Sequence, residues 1–176
     1  MLIEKTKFKD LIIVRSPIYK DQRGFFKEIY KKKILKKELI FDCLSHSKKN
    51  TIRGLHFQKK NAQAKFITVV QGRILDVVVD LRKNSKTFGK HFKIILSEKN
   101  AKSILIPSGF AHGFLGLDKE NIVLYSNNNY RSKNSETGLI WNDKILKIKW
   151  PKRKFIISKK DKNNLSMTEF CRKNKI

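Results

Sequence analysis

The sequence predicts an all-β domain: a sandwich or barrel of short strands with a few short helices at its periphery. Three observations lead there. Apolar residues alternate with period two in one segment after another. Turn residues separate those segments at short, regular intervals. The chain has no internal repeat and no linker rich in Gly, Pro or Ser, so its 176 residues read as one domain, 1–176. That length is enough to bury a core without disulfides or structural metal.

Taken in order, Leu11 to Val14 and Phe25 to Tyr30 read as strands, with Asp21-Gln22-Arg23-Gly24 as the turn between them. Ile34, Leu35 and Leu39 are spaced to line one side of a short helix. Phe66 to Val70 and Ile74 to Leu81 form two apolar strands joined at Gln71-Gly72, where Gly supplies the positive φ of a hairpin turn. In the second strand Leu75, Val77, Val79 and Leu81 share one face, and Ile74, Asp76, Val78 and Asp80 the other. The Asp-bearing face is either solvated or turned into a lumen, where a carboxylate must be paired or wet. Phe92 to Leu96, Ser103 to Ile106, Gly113 to Leu117 and Ile122 to Ser126 complete the strand set. After Trp150-Pro151 the chain becomes polar and basic, and residues 152–176 read as a loop and short helix packed on the barrel.

A net charge of +26 raises the question of nucleic acid. The excess is almost all lysine, scattered from Lys5 to Lys175 among abundant Asn and Ile, the composition of an AT-rich coding sequence. Arginine, the residue suited to bidentate phosphate and base contacts, is scarce. The densest runs, Lys31 to Lys33, Lys59-Lys60 and Lys152 to Lys154, are short and lack interleaved stacking aromatics. No nucleic-acid partner is expected; a positive surface instead steers small anionic substrates inward. No segment is apolar for long enough to span a bilayer, so no membrane partner is expected. The first residues lack a signal-peptide core, and Cys43 and Cys171 follow no redox or metal spacing. A reducing cytoplasm is the expected compartment.

Two segments carry candidate chemistry. Arg53-Gly54-Leu55-His56-Phe57-Gln58 places Arg and His on an extended stretch with a Gly that admits close backbone approach. Pro107-Ser108-Gly109-Phe110-Ala111-His112 places a second His just after a Pro/Gly turn. Either His alone is more often structural than functional, but two of them in strand-rich apolar surroundings point to a shared pocket. The Pro-x-Gly-x-x-His spacing resembles half of a cupin metal motif. The other half, a His-x-His pair followed by Glu, is absent: the chain reads His56-Phe57-Gln58. Two histidines without a third protein ligand make a poor site for Fe, Mn or Zn, so a metal-free pocket is expected.

Over nearly its whole length the chain resembles the dTDP-4-dehydrorhamnose 3,5-epimerase family. The matching segments are Asp21 to Phe26, Ile52 to Gln58, Gln71 through Arg82, Ser85 to Gly89, Ile106 to Phe114, Glu136 to Asp143, Trp150-Pro151 and Ile157 to Asp161. The resemblance implies a cupin-type jelly-roll β-barrel and an isomerase that removes a proton beside a sugar ketone and returns it to the opposite face. Such chemistry needs a base near neutral pKa, stabilisation of the enolate oxygen, and an acid on the far side of the ring. No cofactor is required.

The resemblance assigns His56 as general base and Asp161 as its carboxylate partner. Lys65 is placed near the sugar carbonyl and Tyr125 as the acid, although Tyr125, ending an apolar strand, also reads as a core aromatic. Arg53 and His112 become ligands of the diphosphate and sugar, and Glu136 and Lys160 further binding positions. Arg23 and Glu28 become nucleotide contacts that reach across a homodimer interface formed by residues of about 1–30, and Phe26 a further substrate-binding position.

Two segments depart from the pattern. The family usually has a Tyr pair where this chain has Tyr130-Arg131, and Gln-x-Asn where it has Phe41-Asp42-Cys43. These departures bear on the sugar rather than on the class of reaction; the resemblance implies a dTDP-4-keto-6-deoxyhexose epimerised at C3 and C5, on a rhamnose-type route. The alternatives are epimerisation of one carbon of another nucleotide sugar, a metal-dependent cupin oxygenase, or a basic nucleic-acid-binding protein.

Overall fold

The computed structural model describes residues 1–176. Strands β1 (Leu2–Lys5) and β2 (Ile12–Arg15) are followed by a separate ribbon of β3 (Ile18–Asp21) and β4 (Gly24–Lys27). A single helical turn, α1 (Lys32–Leu35), precedes the long strands β5 (Phe41–Lys48), β6 (Thr51–Gln58), β7 (Lys65–Gln71) and β8 (Arg73–Asp80). Then come β9 (His91–Ser97), β10 (Lys102–Ile106), β11 (Phe110–Gly116), β12 (Glu120–Asn127) and the short β13 (Glu136–Gly138). The C-terminal segment holds β14 (Ile156–Ile157), α2 (Lys159–Lys162) and α3 (Met167–Asn174).

Two six-stranded sheets face each other. One is ordered β1-β2-β10-β7-β12-β5; the other runs β13-β6-β11-β8-β9, with β14 added parallel to β6. Every other strand-to-strand pairing is antiparallel, with one isolated parallel bridge from Leu139 to Leu165, and consecutive strands repeatedly cross between the sheets, which is the jelly-roll arrangement. No helix is long and apolar enough to cross a membrane.

The two faces of β8 explain how the layers stack. Ile74 and Val78 enter a core between the sheets with Ile67, Val69, Ile104, Phe114 and Val123. Leu75, Val77, Val79 and Leu81 point the other way, into a second core closed by Leu139, Leu146 and, from α3, Met167 and Phe170. Both faces are therefore apolar and buried, and the solvent-face reading of residues 74 to 80 is excluded. Asp76 is turned into the lumen, whereas Asp80, at the strand end, takes both Arg82 and the Ser85 and Thr87 hydroxyls.

Several expected boundaries move. The turn at Asp21–Gly24 joins β4 to β3, not to β2; β2 pairs with β1 and β10 instead. Strand β4 stops at Lys27, so Glu28 to Tyr30 lie outside it. Helix α1 spans one turn and excludes Leu39, although Ile34, Leu35 and Leu39 do pack into one cluster against the outer face of the first sheet. His112 lies within β11, which starts three residues earlier than the sequence pattern indicated.

Candidate active site

Between the open ends of the sheets lies a cleft of about 700 Å³. One wall is the β5–β12–β7 side of the first sheet. Cross-strand register places Cys43, Tyr125 and Ile67 in one row and Phe41, Asn127 and Lys65 in the next. The facing wall is β6, which presents Arg53, His56 and Gln58 to the cleft while Ile52, Leu55 and Phe57 pack into the core behind, the strict alternation being broken at Gly54 between Arg53 and His56. Glu136 is the β13 partner of Gln58, and Ser158, Lys160 and Asp161 close the floor.

His56 is held by a chain of local contacts. Ile156 and Ile157 zip onto Thr51 and Ile52 of β6, delivering the following segment to the strand. Ser158 caps α2, its Oγ accepting from the Asp161 amide at 3.0 Å. That turn aims the Asp161 carboxylate back at β6. Oδ1 lies 2.6 Å from His56 Nε2, and Oδ2 accepts from the Gly54 amide at 3.2 Å. Burial by itself raises the Asp161 pKa, but the hydrogen bonds from His56 and Gly54 outweigh it and hold the carboxyl below its usual value. In the neutral imidazole, an Nε2 proton directed at this anion leaves the Nδ1 lone pair free to accept a proton.

Close strand approach sets this geometry. His56 and His112 are register partners, and the register shifts just beyond, between His112 and Phe114. Gly54, with φ of +113°, faces Gly113 there; a Cβ on it would sit 2.6 Å from the Gly113 Cα and 2.7 Å from the His112 carbonyl oxygen. His112 is buried, its Nε2 2.7 Å from Asp76 Oδ2, and its ring lies edge-on to Tyr125 at 6.2 Å. The second Asp76 oxygen is buried without a partner.

On the opposite wall, Tyr125 shares a hydrogen bond of 3.0 Å with Ser45. Burial drives its phenol above the usual range, so it stays protonated. Lys65 makes no ion pair; burial pushes its pKa down, Arg131 acts in the same direction, and Glu136, Cys43 and Asp76 pull it partly back. Glu136 binds Arg131 Nε at 2.7 Å and also the Lys160 ammonium. Burial opposes its ionisation, but these two cations prevail and hold its carboxyl at about 2. No group of three His, Cys, Asp or Glu side chains comes together in a metal-binding cluster.

Residues 5–169 match the family model for dTDP-4-dehydrorhamnose 3,5-epimerase. The chain belongs to that epimerase family. A relative of that name from Shigella flexneri is 41% identical over 170 residues, covering 93% of this chain and 94% of the relative. A Bacillus anthracis dTDP-4-dehydrorhamnose 3,5-epimerase, solved with TDP and PPi bound, superposes with a TM-score of 0.91 at 43% identity, over 94% of this chain and 99% of that one. A Legionella pneumophila 3,5-epimerase in complex with dTDP-4-keto-L-rhamnose gives 0.91 at 34% identity, over 95% and 93%.

Of the epimerase residues expected from sequence, His56, Asp161, Lys65, Tyr125, Arg53, Glu136 and Lys160 all line the one cleft. His112 stands just behind it, against Tyr125. Arg23, Phe26 and Glu28 are not among the lining residues: Arg23 pairs with Asp21, Glu28 with Lys31, and Phe26 projects from the ribbon. Sequence reasoning missed Ser45 and Ser158, which orient Tyr125 and Asp161. Ser158-Lys159-Lys160-Asp161 carried a readable signal, the Ser-x-x-Asp spacing of a helix cap. Ser45 carried none, because β5 is mostly polar.

Proposed function

We propose that this chain epimerises a dTDP-4-keto-6-deoxyhexose at C3 and C5, without a cofactor, as in rhamnose-type deoxysugar biosynthesis. The observation that carries this reading is the placement of a carboxylate-backed imidazole and a protonated phenol on opposite walls of one cleft. A 4-ketone acidifies the hydrogens on both neighbouring carbons. His56 takes such a proton, Asp161 stabilises the imidazolium that forms, and the Lys65 charge offsets the developing enolate oxygen. Tyr125 then donates its phenolic proton to the other face, which inverts the carbon, and exchange with solvent takes the proton from His56 and restores that of Tyr125 before the second carbon reacts. Repetition at the second carbon requires the ring to turn between the same two walls.

The ribbon of β3 and β4 supports a homodimer. It pairs with neither sheet, and Tyr19, Phe25 and Phe26 are 57, 62 and 65% exposed. A two-stranded ribbon with bare aromatic faces is marginal alone and is stabilised by packing on another surface. Against a second copy, it would carry Arg23, Phe26 and Glu28 towards the partner's nucleotide. Sedimentation of the purified chain as a monomer would remove this part of the reading. Cytoplasmic localisation belongs to the same proposal, since the sugar nucleotide is an intracellular metabolite type.

The deciding experiment follows dTDP-4-keto-6-deoxyglucose by proton NMR in D2O. Deuterium entering at both C3 and C5 with inversion is the expected result. Entry at one carbon assigns the chain as a mono-epimerase, and no entry at either rejects the reaction.

A further inference from the structure

We infer that Arg131 forms a guanidinium fork for the diphosphate of the nucleotide sugar, a contact made by a residue that departs from the family pattern. The inference rests on the substrate class proposed above. Four fixed cations line the cleft: Arg53, Lys65, Arg131 and Lys160. Arg53 is largely committed to the protein, with Nε on Ser47 Oγ at 2.8 Å and Nη2 on the His46 carbonyl at 2.9 Å. Lys160 is held by Glu136. Arg131 differs: only its Nε is bound, to Glu136 Oε2 at 2.7 Å, and neither terminal nitrogen has a partner.

That bond anchors the guanidinium at Nε and leaves both terminal nitrogens available as donors. A planar pair of N–H donors matches two oxygens of a phosphate, which a lysine or a phenol cannot do. The tether does not neutralise the site, because Glu136 is shared between Arg131 and Lys160 and leaves the trio with a net positive charge. Apart from Glu136, the group whose charge bears on Arg131 is Cys43. Phe41 packs its ring against Tyr130 at 6.0 Å, and burial holds the Cys43 thiol above its ordinary pKa, hence neutral. Against the four cations the cleft sets two carboxylates, Glu136 and Asp161, so Arg131 supplies one of the two surplus positive charges. Its loss would remove one of those two formal charges from the end of the cleft where a diphosphate would sit.

The test titrates dTDP and inorganic pyrophosphate into wild type, Arg131→Gln and Arg131→Lys by calorimetry at several salt concentrations. Both ligands should bind about 10-fold or more weakly to Arg131→Gln, with a shallower dependence on salt. Arg131→Lys should recover the salt dependence and only part of the affinity, because it restores charge without the fork. In turnover, the rise in KM should exceed the fall in kcat. Lys154→Gln, an exposed charge outside the cleft, controls for the change in net charge. Unchanged affinity for both ligands in Arg131→Gln overturns the inference. So does weakening of dTDP without weakening of pyrophosphate, which would place Arg131 at the base or sugar. Wild type that binds both ligands but exchanges no deuterium defeats the epimerase reading, while the titrations still decide the role of Arg131. Wild type that binds neither defeats both.

Discussion

His56 Nε2 lies 2.6 Å from Asp161 Oδ1, although the two residues stand 105 positions apart. The same carboxylate bonds the Gly54 amide, so one side chain both orients the imidazole and anchors the strand that carries it. Removing it should therefore affect chemistry and local geometry together.

For Asp161→Asn the expected loss is about 10²–10⁴-fold in deuterium exchange, since an amide cannot stabilise the imidazolium. His56→Ala should abolish exchange. Wild-type exchange in Asp161→Asn would show that the pair carries no catalytic weight.

Tyr125 and His56 face each other from different sheets, so their roles separate experimentally. Tyr125→Phe should still exchange substrate hydrogen for deuterium while forming little inverted product. NMR of the recovered sugar distinguishes the two, and full inversion in this variant rejects Tyr125 as the acid.

The alkaline limit of the reaction should belong to Lys65. Burial lowers its pKa, so the charged form is lost as pH rises through a value below the ordinary lysine range. Tyr125 moves oppositely and remains protonated there. The profile of kcat/KM should consequently fall at high pH in wild type and in Tyr125→Phe. In Lys65→Met it should be low throughout and lack that limb.

Gly54→Ala should destabilise the fold by about 3 kcal/mol or more, because the new methyl meets backbone on β11 that cannot yield and the φ is unfavourable for alanine. A urea midpoint close to wild type would show that β6 can shift without loss.

Asp80 bears on acid stability rather than catalysis. Burial pushes its pKa up, but bonds from Arg82, Ser85 and Thr87 prevail and hold it at about 2. A carboxyl with a lowered folded pKa binds its proton more readily when unfolded. Its stabilisation is complete above the unfolded value and disappears as pH falls towards about 2. Asp80→Asn should lose about 2–4 kcal/mol at neutral pH and show a weaker pH dependence between about pH 4 and 2 in chemical denaturation.

Much of the barrel was legible. The alternation from Ile74 to Leu81 separated the two faces of β8, since the pleat sends neighbours to opposite sides, but left open whether the Asp-bearing face met solvent or the lumen. The polar β5 and the four-residue β1 and β3 were not legible, because short strands paired by backbone hydrogen bonds leave little side-chain pattern. The cleft residues were legible chiefly through ordered spacing: Asp161 and Lys65, taken singly, were one acid in a polar loop and one lysine among many.

By itself the sequence determined the layered β architecture, the segments that carry His56, Tyr125 and Asp161, and the lack of a full His-x-His metal half-motif. Periodicity and local spacing encode those features directly. Only the tertiary structure decided that Asp76 faces the lumen beside His112, that Glu136 is divided between Arg131 and Lys160, and that the Arg131 fork is free. Those outcomes depend on which strands become neighbours: His112 meets Asp76 across 36 residues of chain and Lys160 meets Glu136 across 24, and side-chain alternation does not encode either pairing.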